Sequence, residues 1–437
     1  MITVPTAPPP ARTPTTADRP PVRARPKPGG TGSQKDKVDT DTEDGTSDHL
    51  AALMRSLKED RATNIGFPGA VDFDYTALFP FFNQLINNVG DPFVDGVGGA
   101  HTKAMEREVI AFFADLFRAP TDDRWGYVTT GGTEGNLYGL HLARAMHTGG
   151  LVYCSEATHY SVAKSLEVLR MPAVIVRARE TGEIDYEDLR WLLSHHHRDR
   201  PAIIHANVGT TMTEASDDVA AIKRMLRNLA VPHYIHVDAA LAGIPLALAE
   251  PRPAFDLRDG ADSICISGHK FIGVPFPCGV VITRQSLTIE TARPAEYTGS
   301  PDTTLGGSRS GHAALILWYA LRKYGMEGLR KRAAHSRELA EYTVRRLNDI
   351  GWDAWRNPLA FTVVLRTPPP EVNARWTLAR GSDGWSHIVC MPGVTRATID
   401  AFLDDLRAAY RPPARRPNGR HHVTRPLRTT ASAGAAH

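Results

Sequence analysis

Cysteine is scarce in this 437-residue sequence, and the scarcity counts against two kinds of protein. The four cysteines are scattered, with no CxxC pair and no spacing typical of zinc ligands, so we expect neither a disulfide scaffold nor a metal site. Each cysteine lies in an apolar context, which predicts buried thiols in a reducing cytoplasm.

Long apolar runs are also absent. No stretch approaches the roughly 18 to 20 residues that a membrane helix requires. The Pro-rich residues 1–30 lack the apolar core of a secretory signal. The sequence therefore predicts no membrane partner.

Excess positive charge is missing from the central part of the chain. The formal net charge is +3, but residues 1–35 contribute +5 and residues 411–437 contribute +6, which leaves −8 for the residues between them. Nucleic-acid enzymes usually carry their basic surface on the folded part of the chain. We therefore expect no nucleic-acid partner and interpret the basic termini as disordered tails.

The pattern of apolar runs predicts an α/β fold. Between Trp125 and Thr283, seven short apolar runs alternate with several helical stretches, which is typical of a mostly parallel sheet covered on both faces. From about Thr291 the pattern changes to long helices and short strands, which predicts a smaller α+β domain. The predicted segments are a disordered Pro-rich tail (1–48), an N-terminal arm (49–95), a large ligand-binding domain (96–290), a loop with a small C-terminal domain (291–410), and a basic disordered tail (411–437).

One lysine, Lys270, lies in the apolar stretch DSICISGHKFIGVPFPCGVV with no charged neighbour before Arg284. A buried lysine is rare unless it is paired or takes part in chemistry. Burial lowers the pKa of an ammonium group, so that the amine becomes a nucleophile near neutral pH.

Three other motifs follow predicted strands, where ligands bind in a parallel sheet. The run TTGGTEGNLYG (129–139) places two glycines and Thr133 at a helix start, where backbone N–H groups bind anions, and it matches neither common nucleotide-binding loop. Asp238 ends the run YIHVD, where a carboxylate needs a cationic partner unless it caps a helix. His159 lies between a strand and a helix, where it is either structural or placed flat against an aromatic ligand.

These features together match pyridoxal 5'-phosphate. The lysine amine binds the aldehyde covalently, the anion site binds the phosphate, and the carboxylate keeps the pyridine nitrogen protonated. The interpretation explains why a lysine lies in an apolar run.

The chain resembles the group II pyridoxal-phosphate-dependent amino-acid decarboxylases, and within them it is similar to bacterial histidine decarboxylases and plant serine decarboxylases. The matching phrases extend in order over roughly residues 60 to 410 and include INNVGDPF, WGYVTTGGTEGNLYG, HYSVAK, HVDAALAG, SGHKFIGVPFPCG and GSRSGH. The resemblance implies a fold-type I enzyme that binds the cofactor in the large domain.

The resemblance also implies a role for each site residue. Lys270 is the Schiff-base lysine, Asp238 pairs with the pyridine nitrogen, and His159 stacks on the ring. Thr211 lies beside the ring oxygen or the substrate carboxylate. The remaining predicted contacts are Ala240 on the other ring face and, around the phosphate, Gly132, Thr133, Ser267 and His269.

The implied reaction is decarboxylation of a small-molecule L-amino acid to an amine and CO₂. Tyr297, in a loop expected to close over the site, is the candidate proton donor to Cα, and family members are homodimers with active sites at the subunit interface. Histidine is the first candidate substrate, with serine or a specialised amino acid as alternatives, because the segment 95–108 with Gly99 and His101 matches neither group. Oxidative decarboxylation–deamination, aldol cleavage and a catalytically inactive anion-binding protein are the other readings.

Overall fold

A seven-stranded sheet forms from the seven predicted apolar runs, in the order β1-β7-β6-β5-β4-β2-β3. Strands β2 to β6 pair in parallel, and β7 is antiparallel to both of its neighbours. The predicted mostly parallel sheet is thereby confirmed. The strands are β1 (Trp125–Thr129), β2 (Leu151–Ser155), β3 (Ala173–Val176), β4 (Ala202–Asn207), β5 (His233–Asp238), β6 (Ser263–Ser267) and β7 (Gly279–Thr283).

The structure is a computed structural model that describes residues 43–195, 199–381 and 383–409. Among the described residues, the contacts divide the chain into two units, with the boundary between Arg55 and Ser56. Most of the tail predicted at 1–48 and all of the tail predicted at 411–437 lie outside the described residues. The helices are α1 (Glu43–Thr63), α2 (Lys103–Leu116), α3 (Gly132–Met146), α4 (Ser161–Leu169), α5 (Tyr186–His195), α6 (Val219–Asn228), α7 (Gly243–Ala247), α8 (Gly311–Asp349), α9 (Pro370–Arg375) and α10 (Arg396–Ala409).

Both faces of the sheet are packed except at the edge strand β3, and successive side chains of a strand enter different apolar clusters because they alternate between the two faces. Ile203 packs with α3 and α4 in one apolar cluster, whereas its neighbour Ile204 belongs to the larger cluster that includes α2, α6 and α8. Within the described residues, no helix is long and apolar enough to cross a bilayer.

A second, antiparallel sheet lies in the predicted C-terminal segment, with strand order β10-β11-β9-β8. Its strands are β8 (Ala354–Trp355), β9 (Thr362–Arg366), β10 (Ala379–Arg380) and β11 (Trp385–Val389). Helix α8 is interrupted at Gly325, whose φ of 59° departs from helical geometry. The domain boundary at residue 290 stays a prediction.

Candidate active site

A cavity of about 310 Å³ lies at the carboxyl edge of the seven-stranded sheet. Strands β4, β5 and β6 end together there, because Asn207 pairs with Asp238 and Asp238 with Cys265. The cavity brings together all nine residues predicted to bind the cofactor: Gly132, Thr133, His159, Thr211, Asp238, Ala240, Ser267, His269 and Lys270.

Lys270 lies in a π-helical turn (Gly268–Ile272) that begins where β6 ends. Insertions of this kind occur often at functional sites. Its carbonyl accepts a hydrogen bond from the Ala70 N–H at 3.0 Å, but no described residue accepts one from its Nζ. Burial lowers the pKa of the ammonium group, and nearby Asp238 opposes that effect only in part. The amine faces the cavity, and the lowered pKa favours the deprotonated form that attacks as a nucleophile.

Asp238 is held as an ionised carboxylate. Its Oδ2 accepts a hydrogen bond from Asn136 Nδ2 at 2.7 Å, and its Oδ1 accepts one from the Ala240 N–H at 3.1 Å. Burial alone would raise the pKa of Asp238, but His205, Lys270 and these hydrogen bonds outweigh it and lower the pKa. No lysine or arginine of the described residues forms an ion pair with it, so the carboxylate is open to a cation from a ligand.

The predicted anion site lies at the N-terminus of α3. A Cβ on Gly132 would lie 2.9 Å from Ser267 Oγ and 3.2 Å from Ala240 Cβ, so only glycine leaves this approach free. The carboxylate of Glu134 is engaged with the loop before α3. Its Oε2 accepts hydrogen bonds from the N–H and the hydroxyl of Thr130. The helix dipole and free N–H groups favour an anion here.

Two imidazoles line the cavity in their neutral form. Burial lowers the pKa of both His159 and His269. His159 Nδ1 lies 2.8 Å from Ser161 Oγ, and His269 Nδ1 lies 3.0 Å from the carbonyl of Cys278. Each ring is thus oriented by a neighbour, which leaves the other nitrogen of each ring for a ligand.

A second cavity of about 600 Å³ adjoins the first, and His159, Gly209, Thr211 and Lys270 line both. Its other walls come from distant parts of the chain. The nitrogens of His387 lie 2.9 Å from the carbonyl of Gly66 and 3.2 Å from that of Met212, joining three of these segments. The additional apolar wall residues include Phe67, Pro68, Met212, Leu241 and Val389.

Tyr297 does not line the Lys270 cavity. Its side chain is 87% exposed, and it borders a separate cavity of about 310 Å³ with His101 and Lys103. Its predicted role as proton donor stays a prediction, and within one copy of the chain the described residues do not bring it to Lys270.

The sequence reading missed three buried residues behind Asp238: Asn136, His236 and Ser263. Helical spacing could have indicated Asn136, since it follows Gly132 by one turn and lies on the same helix face. Strand alternation could have indicated His236, since it precedes Asp238 by two residues and shares its face of β5. Neither spacing reveals a hydrogen bond between them.

The groups of this site fit pyridoxal phosphate. An amine whose pKa is lowered by burial, an ionised carboxylate open to a cation, and an anion site match the aldehyde, the protonated ring nitrogen and the phosphate. On a sheet of this order, these groups define the class of fold-type I pyridoxal-phosphate enzymes.

Comparisons with known proteins narrow the class. Residues 99–351 match the family model described as the pyridoxal-dependent decarboxylase conserved domain. The chain is 44% identical over 358 residues to a histidine decarboxylase of Mesorhizobium japonicum, covering 82% of this chain and 96% of that protein. It is 40% identical over 363 residues to serine decarboxylase 3 of Oryza sativa subsp. japonica, covering 82% and 81%.

Among solved structures, L-methionine decarboxylase from Streptomyces sp. 590 matches with a TM-score of 0.77 and 28% identity, covering 84% of this chain and 95% of that one. The chain therefore belongs to the pyridoxal-dependent decarboxylase family. It is a pyridoxal-phosphate-dependent amino-acid decarboxylase, and its substrate is a small-molecule amino acid.

Proposed function

We propose that this enzyme converts L-histidine to histamine and CO₂. The observation that carries the proposal is the second cavity, which opens beside Lys270 and at about 600 Å³ has room for an imidazole side chain. Serine would leave most of this space unfilled. The similarity to a histidine decarboxylase over 96% of that protein's length supports the same substrate.

An apolar amino acid is the second candidate. Phe67, Met212 and Leu241 give the cavity a largely apolar wall, and His387 has both ring nitrogens placed against backbone carbonyls. The methionine decarboxylase from Streptomyces is a structural neighbour, which makes a thioether side chain the sharpest alternative.

Each site residue has a proposed task. Lys270 holds the cofactor covalently through Nζ, and Asp238 keeps a proton on the ring nitrogen. His159 and Ala240 enclose the ring between them, and Thr211, which lines both cavities, contacts the ring oxygen or the substrate carboxylate. When bound, pyridoxal phosphate supplies an electron sink for the electron pair released as CO₂ leaves. The phosphate is held by Gly132, Thr133, Ser267 and His269.

The substrate proposal is tested by incubating the purified holoenzyme with each standard amino acid and identifying amines by mass spectrometry. Histamine that forms with the intact chain and not with Lys270→Ala supports the proposal. Ethanolamine as the main product would identify serine as the substrate instead, and 3-methylthiopropylamine would identify methionine. An aldehyde product would instead point to oxidative decarboxylation–deamination.

We further propose a homodimer in which Tyr297 serves the site of the other copy. Tyr297 is exposed and distant from the Lys270 cavity of its own chain, although it is the candidate proton donor. Large apolar side chains are exposed between residues 67 and 97, and the Val97 N–H at the end of this stretch donates to the carbonyl of Thr298 beside Tyr297. Such exposure marks interaction surfaces. The exposed side chains include Phe67, Phe79, Phe81, Phe82, Leu85, Phe93, Val94 and Val97.

Mixed dimers test this arrangement. Lys270→Ala and Tyr297→Phe chains are unfolded and refolded together, and amine formation is compared with each variant alone. If Tyr297 acts on the other copy, a mixed dimer regains one complete site, and the mixture reaches about one quarter of wild-type activity. If it acts within its own chain, the mixture stays as inactive as its components.

We also propose a reducing compartment such as the cytoplasm. All four cysteines are buried and none forms a disulfide. Cysteines without disulfides are typical of proteins in reducing compartments, whereas proteins of oxidising compartments commonly pair them. Thiol counting on protein taken directly from cells tests the proposal, and four free thiols per chain is the expected result.

A further inference from the structure

A chain of buried hydrogen bonds leads from strand β6 to the carboxylate of Asp238. We propose that Ser263, His236 and Asn136 form a positioning relay that keeps Asp238 an acceptor of hydrogen bonds, oriented toward the cofactor ring. The inference rests on the proposed pairing of Asp238 with the ring nitrogen, and it does not depend on which amino acid is the substrate.

Three contacts make up the relay. Ser263 Oγ lies 2.7 Å from His236 Nδ1, and His236 Nε2 lies 2.9 Å from Asn136 Oδ1. Asn136 Nδ2 then donates to Asp238 Oδ2 at 2.7 Å. Ser263 and His236 are completely buried and Asn136 is 2% exposed, so water does not replace these contacts.

The proton positions follow from Asp238. An ionised carboxylate only accepts hydrogen bonds, so Asn136 must turn its NH₂ toward Asp238 and its oxygen toward His236. His236 must therefore donate from Nε2, and Nδ1 must accept from the Ser263 hydroxyl. Every donor in the relay points toward Asp238.

Two further observations fit this direction. The Cys265 thiol donates to the same Asn136 oxygen at 3.1 Å, which is consistent with that atom being an acceptor. Burial lowers the pKa of His236 to about 3, so the imidazole stays neutral and carries a single N–H. A neutral ring with one proton can take only the tautomer described.

Packing fixes the relay in place. A Cβ on Gly139 would lie 2.0 Å from His236 Nδ1, and one on Gly135 would lie 2.6 Å from Cys265 Cβ. Helix α3 thus rests directly on β5 and β6 through two glycines one turn apart. The imidazole has no space in which to rotate away from Asn136.

The other ionisable groups near Asp238 do not replace the relay. Burial lowers the pKa of His205, so its imidazole is neutral near neutral pH, and neither of its buried nitrogens has a hydrogen-bond partner among the described residues. Burial also lowers the pKa of Lys270 and of His159. Among the groups that lower the pKa of Asp238, only Asn136 and the Ala240 N–H donate hydrogen bonds directly to its carboxylate, and these bonds fix its orientation.

The test uses holoenzyme loaded with ¹⁵N-labelled pyridoxal phosphate. The ring-nitrogen ¹⁵N shift reports its protonation, and the cofactor lost on dilution reports affinity. For Asn136→Ala we expect a shift toward the unprotonated position and roughly 10-fold to 100-fold weaker cofactor retention, because a charge-assisted hydrogen bond is lost. For Ser263→Ala we expect a ¹⁵N shift in the same direction and about threefold weaker cofactor retention, since one neutral hydrogen bond is lost.

Thr283→Val is the matched control. It removes another fully buried hydroxyl, paired across from Ser263 on β7, which bonds the Asp262 carbonyl outside the relay. We expect wild-type ¹⁵N shift and retention. Wild-type values for both relay variants would overturn the inference, as would a control that loses as much as they do. If Asp238→Asn itself leaves the ¹⁵N shift unchanged, the pairing of Asp238 with the ring has failed, and the relay proposal fails with it.

Discussion

Lys103 and Lys270 are both shielded from solvent, and the surroundings of their polar ends differ. Lys103, at the start of α2, is 1% exposed, and its Nζ donates to the carbonyls of Val94 at 2.5 Å and Asp95 at 3.4 Å. Lys270 is half-buried, and its Nζ has no hydrogen-bond acceptor among the described residues. Burial lowers the pKa of both.

Burial alone therefore does not distinguish a reactive lysine from a structural one. The difference lies in what surrounds the amine. Lys103 is satisfied by backbone oxygens, whereas Lys270 faces a cavity that also contains a carboxylate and a helix N-terminus. An amine without an internal partner is available to a ligand.

The largest expected effect comes from removing the unpartnered amine. Lys270→Ala should lower amine formation roughly 10⁴-fold or more, because the covalent link to the cofactor is lost. Borohydride reduction followed by peptide mass spectrometry should find the cofactor on the peptide containing Lys270 in the wild type and on no peptide in the variant. A cofactor attached to Lys103 would mean that Lys103, and not Lys270, is the reactive lysine.

Removing the carboxylate near Lys270 should have the next largest effect. Asp238→Asn should lower kcat by about 10² to 10³, because an amide cannot hold a proton on the ring nitrogen. The control is Asp262→Asn, whose carboxylate bonds the Ile235 N–H at the opposite end of β5. Equal losses in the two variants would mean that the effect is not specific to the cavity.

Glu214 is a buried carboxylate outside the Lys270 cavity, and unlike Asp238 its pKa is raised. Burial raises the pKa of Glu214 to about 7, although its Oε2 accepts the N–H groups of Phe361 and Thr362. Because this pKa lies above the usual 4.5, its stabilising contribution is complete below pH 4.5 and is lost as the pH rises through 7.

Glu214→Gln keeps an oxygen for both amides and cannot ionise. Relative to the wild type, the variant should gain roughly 3 kcal/mol in the free energy of unfolding between pH 4.5 and pH 8. Urea unfolding at several pH values measures this difference. A constant difference across that range would show that Glu214 does not titrate there.

The smallest effect is expected at the other lysine. Lys103→Met removes hydrogen bonds to two backbone carbonyls and should cost about 1 to 2 kcal/mol of stability. Bound-cofactor absorbance and covalent attachment at Lys270 should equal those of the wild type. Loss of the cofactor in this variant would mean that the two lysines are not functionally distinct.

Local patterns in the sequence predicted part of the candidate cofactor site, and the family resemblance supplied the rest, including Ser267. Strand ends mark the edge of a parallel sheet, so Asp238 and His159 could be assigned to one place from periodicity. Lys103 escaped notice because it opens α2, whose sequence is that of an amphipathic helix, and a lysine at the start of such a helix is expected to face solvent. Its Nζ donates to the carbonyls of residues 94 and 95 from the preceding segment, and no helical pattern reveals this contact.

Contacts between distant segments explain the remaining misses. The second cavity depends on Gly66, Met212 and His387 meeting from three parts of the chain, and the relay depends on α3, β5 and β6. The location of Tyr297 away from Lys270 is likewise set by packing of its loop. Such pairings are decided by the whole fold, and spacing within one element does not determine them.

Helix α3 carries the anion site and the contact to Asp238 on one rigid element. Gly132 begins the helix and Asn136 lies one turn later, so about 6 Å along the helix axis separates the two positions. A straight helix does not stretch, and its close packing through Gly135 and Gly139 prevents it from sliding. Selection among cofactor analogues should therefore be a selection by length, since a molecule with a longer link between ring and phosphate cannot reach both positions at once.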